Sequence, residues 1–151
     1  IIAQTRSLID ELAETDRQVI AVGTTSVRTL ESLYQIGCLI SEGKFDGDVP
    51  QWYAYEPSHP KLSRKESLTI VSHYMAEKNI ETLTASTRII IAPGYEYRVV
   101  DGMITNFHQP KSTLLLLVSA FIGDDWLKMY RYALDNDFRF LSYGDANLLL
   151  R

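Results

Sequence analysis

Ile104-Thr105-Asn106-Phe107-His108-Gln109-Pro110-Lys111-Ser112-Thr113-Leu114-Leu115-Leu116-Leu117-Val118-Ser119-Ala120-Phe121 is the stretch from which the fold can be read. Met103–Phe107 has the pattern of a strand end, and Leu114–Phe121 that of a buried helix. The polar connection between them holds His108, Lys111, Ser112 and Thr113, so a base, a cation and two hydroxyls gather where a strand hands over to a helix. Ligands of open α/β sheets bind outside the carboxyl ends of strands, where such connections meet. Unpaired N–H groups at a helix start favour anions there. Working outward, the expected architecture is α/β: a layered domain with a mixed sheet and flanking helices.

With 151 residues the chain is large enough for one domain with a core. At 46% hydrophobic and 23% charged residues it is not a disordered chain. A net charge of −4 carries no global signature of nucleic-acid binding, while leaving room for a local basic patch. The single cysteine, Cys38, excludes an internal disulfide and a Cys-based metal cluster, and fits a reducing cytoplasm, the expected location. His59, His73 and His108 show no metal-ligand spacing, so no metal is expected. The start, Ile1-Ile2-Ala3-Gln4, is not a signal peptide, and Leu114–Phe121 is too short to span a bilayer. Because the chain begins with Ile rather than Met, it is expected to be a piece of a longer one.

Leu8, Ile9 and Leu12 predict a helix over Gln4–Glu14. Val19–Val22, closed by Gly23, has the profile of a buried parallel strand. Gly23-Thr24-Thr25-Ser26 then opens a helix whose face carries Val27, Leu30, Leu33 and Tyr34, with Gly37 as its stop. The hydroxyls of this turn either bind a phosphate, carboxylate or ribose, or simply cap the helix. Residues 40–60 read as a long excursion with an extended piece at Gln51–Tyr55 and a surface His59. Ser63-Arg64-Lys65-Glu66 is a capping box for a helix ending near Lys78-Asn79. Lys61, Arg64 and Lys65 read as a solvated helix start before an RNA contact. Leu83–Ala85 and Arg88–Ala92 read as strands, and Asp101-Gly102 as a hairpin turn between Tyr95–Val100 and Met103–Phe107. A helix capped by Asp124 or Asp125 follows, then strand, Ser-Tyr-Gly-Asp turn and a final apolar strand.

Three segments carry a resemblance. They are Ala21-Val22-Gly23-Thr24-Thr25-Ser26-Val27-Arg28-Thr29-Leu30-Glu31-Ser32; Pro93-Gly94-Tyr95 through Val100-Asp101-Gly102-Met103-Ile104-Thr105-Asn106-Phe107-His108 to Lys111-Ser112-Thr113-Leu114-Leu115; and Tyr143-Gly144-Asp145-Ala146. Their order and wording resemble the C-terminal part of the S-adenosylmethionine:tRNA ribosyltransferase-isomerase family of queuosine biosynthesis. The resemblance implies transfer and isomerisation of the ribosyl moiety of S-adenosylmethionine onto 7-aminomethyl-7-deazaguanine at the tRNA wobble position. Epoxyqueuosine would form, and adenine and methionine would leave. It also implies a larger α/β domain with an inserted β-barrel that is absent from this chain. The 1–151 chain would then be a partial α/β domain that needs the missing N-terminal half, with tRNA as the partner macromolecule and S-adenosylmethionine as donor substrate. Residues 40–85 are longer than the family's usual connection, Gln109 replaces a usual Leu, and Phe140-Leu141 replaces a usual Phe-Phe. These departures open the reading of a divergent branch, or of a non-catalytic nucleoside- or RNA-binding module on the same scaffold.

On this resemblance the catalytic candidates are His108 and Asp145. His108 titrates near neutrality; its alternative role is to shape the strand-to-helix turn. Asp145 would accept from a ribose hydroxyl or an amine, or else serve the turn alone. Substrate-binding candidates are Gly23, Thr24, Thr25, Ser26, Arg28, Asn106, Lys111, Ser112, Thr113 and Tyr143. Arg28 and Lys111 are the expected carboxylate or phosphate partners. Tyr143 and Tyr95 are candidates for base stacking, with burial in the core as the alternative.

Overall fold

The computed structural model describes residues 1–109 and 112–151; Pro110 and the candidate Lys111 lie outside the described residues. Six strands and five helices follow in the order β1 (Ile2–Thr5), α1 (Arg6–Glu14), β2 (Ile20–Val22), α2 (Thr24–Ser41), β3 (Asp48–Val49), α3 (Arg64–Glu77), β4 (Thr82–Thr87), β5 (Gly102–Asn106), α4 (Thr113–Ile122), α5 (Asp125–Asp135) and β6 (Ala146–Leu150). The strands form two small mixed sheets. One has the order β1-β4-β3, the other β2-β5-β6. In the second sheet β2 runs parallel to β5 and β6 antiparallel to it, pairing Val22 with Ile104 and Ile104 with Leu148. The expected α/β class, mixed pairing and flanking helices are all present.

Local chemistry explains the helix starts. Thr5 caps α1 by accepting from the Leu8 N–H. Ser63 and Glu66 form both halves of a capping box on α3, as the sequence predicts. Ser112 caps α4, and Gly123, at φ 60°, ends it. Helix α2 is the spine: Glu31 through Leu39 are all buried, wedged between α3 and the second sheet.

Glu31 holds the next segment in place. Its carboxylate is fully buried and accepts the backbone N–H groups of Arg98, Val99 and Val100 at 2.9–3.3 Å. It also accepts the Tyr95 hydroxyl at 2.8 Å. Burial pushes the carboxyl up from its ordinary value while these N–H donors pull it back down. This bonding explains a departure from expectation. Residues 95–100 form no hairpin strand, and the N–H groups of Arg98, Val99 and Val100 point at a side chain instead of a partner strand. Gly102 opens β5 rather than a turn, and its lack of a side chain admits Leu150 and Ile20, whose atoms would lie 2.9 and 3.3 Å from a Cβ there.

Other expectations change for equally local reasons. A short strand, β1, precedes α1 and pairs with β4. Strand β2 is parallel but only Ala21 is buried; Ile20 and Val22 stand 44% and 67% exposed. Gln51–Tyr55 is not extended: Tyr53–Tyr55 is a 3-10 turn, and the strand is Asp48–Val49. Residues 88–92 lie beside β3 without becoming a strand, though Arg88 N–H donates to Val49 O. Residues 138–141, expected as a strand, form none, and Leu141 sits at φ 69°. His59 is half-buried, and His73 is exposed.

Gly37 does not stop α2. It is the point where α2 crosses α3, and a Cβ there would lie 2.1 Å from Ser67 Oγ and 2.3 Å from Ser67 O. Alanine gains about 1 kcal/mol of helix propensity over glycine, but the obstruction includes backbone and forces the helices apart. Gly37→Ala is therefore expected to lower the unfolding free energy by about 1–3 kcal/mol, read from urea melts. Adding Ser67→Ala should not restore it, because the carbonyl remains in the way.

Candidate functional site

Parallel pairing of β2 with β5 sets the site. Both strands end on the same side of the second sheet, and β6 starts there. Three connections consequently meet: Gly23–Ser26 after β2, Phe107–Gln109 after β5, and the 139–145 turn before β6. Gly23 N–H donates to Ile104 O at 2.8 Å, and Leu141 N–H donates to Phe107 O at 2.9 Å. These two backbone bonds tie the outer connections to the central one.

His108 lies at the centre. Its backbone N–H donates to the Tyr130 hydroxyl at 2.8 Å. Its Nε2 lies 2.9 Å from Thr105 Oγ1, the buried hydroxyl three residues earlier. Burial pushes the imidazole below its ordinary value, so the ring is neutral at pH 7, the form that accepts a proton. Behind it Phe107, Tyr130, Phe138 and Phe140 form a small aromatic cluster, with Phe107 edge-on to Tyr130 at 5.4 Å.

The helix start after β2 is bare. Gly23, at φ 86°, takes the cap position and offers no side-chain cap, so none of the three hydroxyls is spent as the N-cap. Thr25 and Ser26 line a surface hollow against Gln4 and Leu8 of the β1–α1 unit. Arg28, one turn on, donates from Nη2 to Ile89 O at 2.8 Å. With Thr113 it lines a cavity of about 110 Å³ that also includes Gln51 and Arg88. The structure thus brings Arg28 and Thr113 together. Ser112 is used as the α4 cap, accepting from Leu115 N–H at 3.3 Å, and its own O–H is still a donor.

Asp145 is bound into its turn. Its carboxylate accepts the Arg139 N–H at 2.7 Å and faces the Arg139 guanidinium at 3.4 Å. Its N–H donates to Arg139 O. The Arg139 N–H holds the carboxyl below its usual range, so it is ionised. Tyr143, at the tip, is 97% exposed. Asn106 ends β5 on the opposite face from Thr105 and is half-buried. Tyr95 is a buried core aromatic, bonded to Glu31 and Gln35.

Sequence reasoning missed three groups that hold this site: Thr105, Tyr130 and Arg139. Thr105 was legible in principle, since it sits three residues before His108 within one strand end. Tyr130 arrives from α5, and Arg139 opens the 139–145 turn; neither is marked as a site residue by its neighbours. Among the described residues there is no cluster of three or more His, Cys, Asp or Glu able to hold a metal. No helix among them is long and apolar enough to cross a membrane.

Fold and site define an α/β unit that presents a neutral histidine, a bare helix start and an arginine at the carboxyl ends of parallel strands, the ligand-binding side of such sheets. Residues 1–149 match the model of the family described as queuosine biosynthesis protein, and the chain belongs to that family. It is similar to the S-adenosylmethionine:tRNA ribosyltransferase-isomerase of Paraburkholderia phymatum, at 41% identity over 97% of this chain and 32% of the relative. The enzyme of the same name from Prochlorococcus marinus is 40% identical over 91% of this chain and 27% of its own. A crystal structure of the S-adenosylmethionine tRNA ribosyltransferase of Thermotoga maritima superimposes with a TM-score of 0.66 and 31% identity, over 98% of this chain and 39% of that one. The chain spans about a third of the length of the curated relatives it matches.

His108 and His59 are both depressed by burial. A histidine whose folded pKa lies below the unfolded value of ~6.5 takes up its proton more readily when unfolded. Their stabilising share is whole above that value and shrinks as pH falls toward the folded pKa. NMR titration should place both rings below ~6.5. Unfolding free energy should decline from pH 7 to pH 5.5, and less steeply in His59→Gln/His108→Gln.

Proposed function

We propose that this chain is the carboxyl-terminal part of an S-adenosylmethionine:tRNA ribosyltransferase-isomerase and supplies one wall of its active site. The observation that carries the reading is the convergence of Gly23–Ser26, His108 and the 139–145 turn at one end of the second sheet, in a chain of this family. The donor is S-adenosylmethionine, and the acceptor is 7-aminomethyl-7-deazaguanine in the wobble position of tRNA. The product is epoxyqueuosine, with adenine and methionine released. A tRNA substrate supports a cytoplasmic location.

The chemistry suits the residues. Hydrogens on the C5′ carbon beside a sulfonium are acidified, and a neutral imidazole held by Thr105 and Tyr130 is fit to take one. Departing adenine needs a proton or hydrogen bond, which the protonated ring could return. Arg28, Thr113 and the bare α2 start offer charge and N–H groups for the methionine carboxylate or a tRNA phosphate. Lys111 is a further candidate for the same anion. Ionised Asp145 can accept from a ribose hydroxyl, and Tyr143 can stack on a base. The reaction so drawn uses side chains alone and routes no step through a metal.

Only one wall is present. The outer face of the second sheet carries Ile20, Val22, Leu148 and Leu150, each 44–67% exposed, with Ile104 between them. An apolar sheet face of this kind belongs against a partner layer. The rest of the longer polypeptide is the occupant proposed for it, and residues 40–85 are a branch-specific elaboration within the partial domain.

In the full-length protein, His108→Ala is expected to cut the turnover of precursor tRNA by about 10²–10⁴-fold, read as adenine release. The 1–151 chain alone should release none. Full activity in His108→Ala removes the catalytic assignment. Failure of the full-length protein to modify precursor tRNA at all favours the non-catalytic RNA-binding reading.

A further inference from the structure

A second cavity lies between the 53–61 segment and the 94–98 loop, and it shares no lining residue with the Arg28–Thr113 cavity. Its volume is about 260 Å³, and its walls include Tyr34, Tyr55, His59, Lys61, Tyr95 and Arg98. This is close to the lower limit of ~300 Å³ for small-molecule pockets, room for one ring system rather than a dinucleotide.

The walls are built rather than incidental. His59 is half-buried, stacked on Tyr34 at 6.3 Å and packed on Tyr53 at 4.8 Å. Its Nε2 lies 2.6 Å from Gln35 Oε1. The Gln35 amide donates to the Tyr95 hydroxyl at 3.1 Å, and that hydroxyl donates to Glu31. Gln35 is only 2% exposed. A fixed chain of four polar side chains therefore holds the aromatic walls in register. Tyr34 and Tyr95 are only 1% and 7% exposed and back the pocket, so the aromatic surface open to the π-face of a base is that of half-buried Tyr55 and His59.

Two cations stand at the cavity. The Arg98 guanidinium lies over the Tyr34 ring at 5.9 Å and pairs with Glu96, which is 71% exposed and free to give way to a stronger anion. Lys61 lies on the other wall, with Glu56 as the remaining acid. Arg98 also lines a neighbouring open groove of about 470 Å³ that contains Arg17, Arg64 and Lys65. Arg64 and Lys65 are paired there with Asp101 and Glu14. An aromatic slot with arginine and lysine at its mouth, opening into a groove with further cations, has the chemistry that recognises a base carrying a phosphate.

We infer that the Tyr34–Tyr55–His59–Tyr95 cavity is a nucleotide-binding pocket: a base lies against Tyr55 and His59, and its phosphate meets Arg98 and Lys61. The nucleotide is either a free mononucleotide or one unstacked residue of an RNA strand continuing along the Arg17–Lys65 groove. The pocket shares no lining residue with the Arg28–Thr113 cavity, and its test is read apart from the ribosyl-transfer reading.

The test is calorimetric titration of the full-length protein with AMP, with adenosine, and with a single-stranded RNA decamer, repeated in Lys61→Ala/Arg98→Ala. Arg98 contributes to the fold through its backbone N–H, which the variant keeps, and thermal melts confirm folding. Expected is binding of AMP or of the decamer that weakens at least roughly tenfold in the variant, one charged hydrogen bond or more being lost. Adenosine should bind weakly to both proteins. AMP binding identifies a free-nucleotide pocket; decamer binding without AMP binding identifies an RNA subsite. If neither ligand binds, or if the double variant binds them unchanged, the inference is overturned. Adenine release measured on the same samples reports the ribosyl-transfer reading separately.

Discussion

The fully buried carboxylate of Glu31 is the constraint on which the rest of the molecule depends. A lone ionised carboxyl in a protein interior is prohibitively costly unless donors surround it. Here three consecutive backbone N–H groups and the Tyr95 hydroxyl do so. The consequence is directional. Residues 98–100 must lie along α2, so the chain enters β5 beside β2, where Asp101 and Gly102 N–H groups donate to Val19 O. The parallel β2–β5 pair follows from that entry, and the site follows from the pair. One acid on a helix thus fixes where a histidine eight residues beyond the anchored segment comes to rest.

The same acid connects the two cavities without merging them. Through Tyr95 and Gln35 it reaches His59; through the 98–101 segment it reaches β5 and His108. Both histidines are neutralised by burial, yet their surroundings differ. His59 is packed among tyrosines and an amide, a setting for a flat wall. His108 is gripped at its backbone and at one ring nitrogen, a setting that orients an imidazole for proton transfer.

Much of the local geometry of the candidate site was readable from the residues alone because its parts are local. The handover at 103–121, the Gly-Thr-Thr-Ser turn and the capping box at Ser63 each depend on neighbours within one or two turns of chain. Errors arose where a long-range partner overrode a local signal. Asp101-Gly102 has the wording of a hairpin, but Asp101 Oδ2 caps Val19 N–H from 82 residues away, and Gly102 is there for close strand packing. Gly37 has the wording of a helix stop, but serves a helix crossing with Ser67. His59 looked like a surface residue because nothing near it in sequence announces Gln35 or Tyr34.

At Asp145 the proposed functional role and a structural one fall on the same residue. Its carboxylate is occupied by Arg139, which closes the 139–145 turn and so holds Tyr143 out into solvent. That turn is pinned beside His108 by the Leu141–Phe107 bond. An exposed tyrosine on a rigid turn loses little further freedom on meeting a ligand, so ordering costs little there. The turn's structural chemistry is therefore the reason it can serve as a recognition element: Asp145 anchors it, and what the anchoring presents is Tyr143.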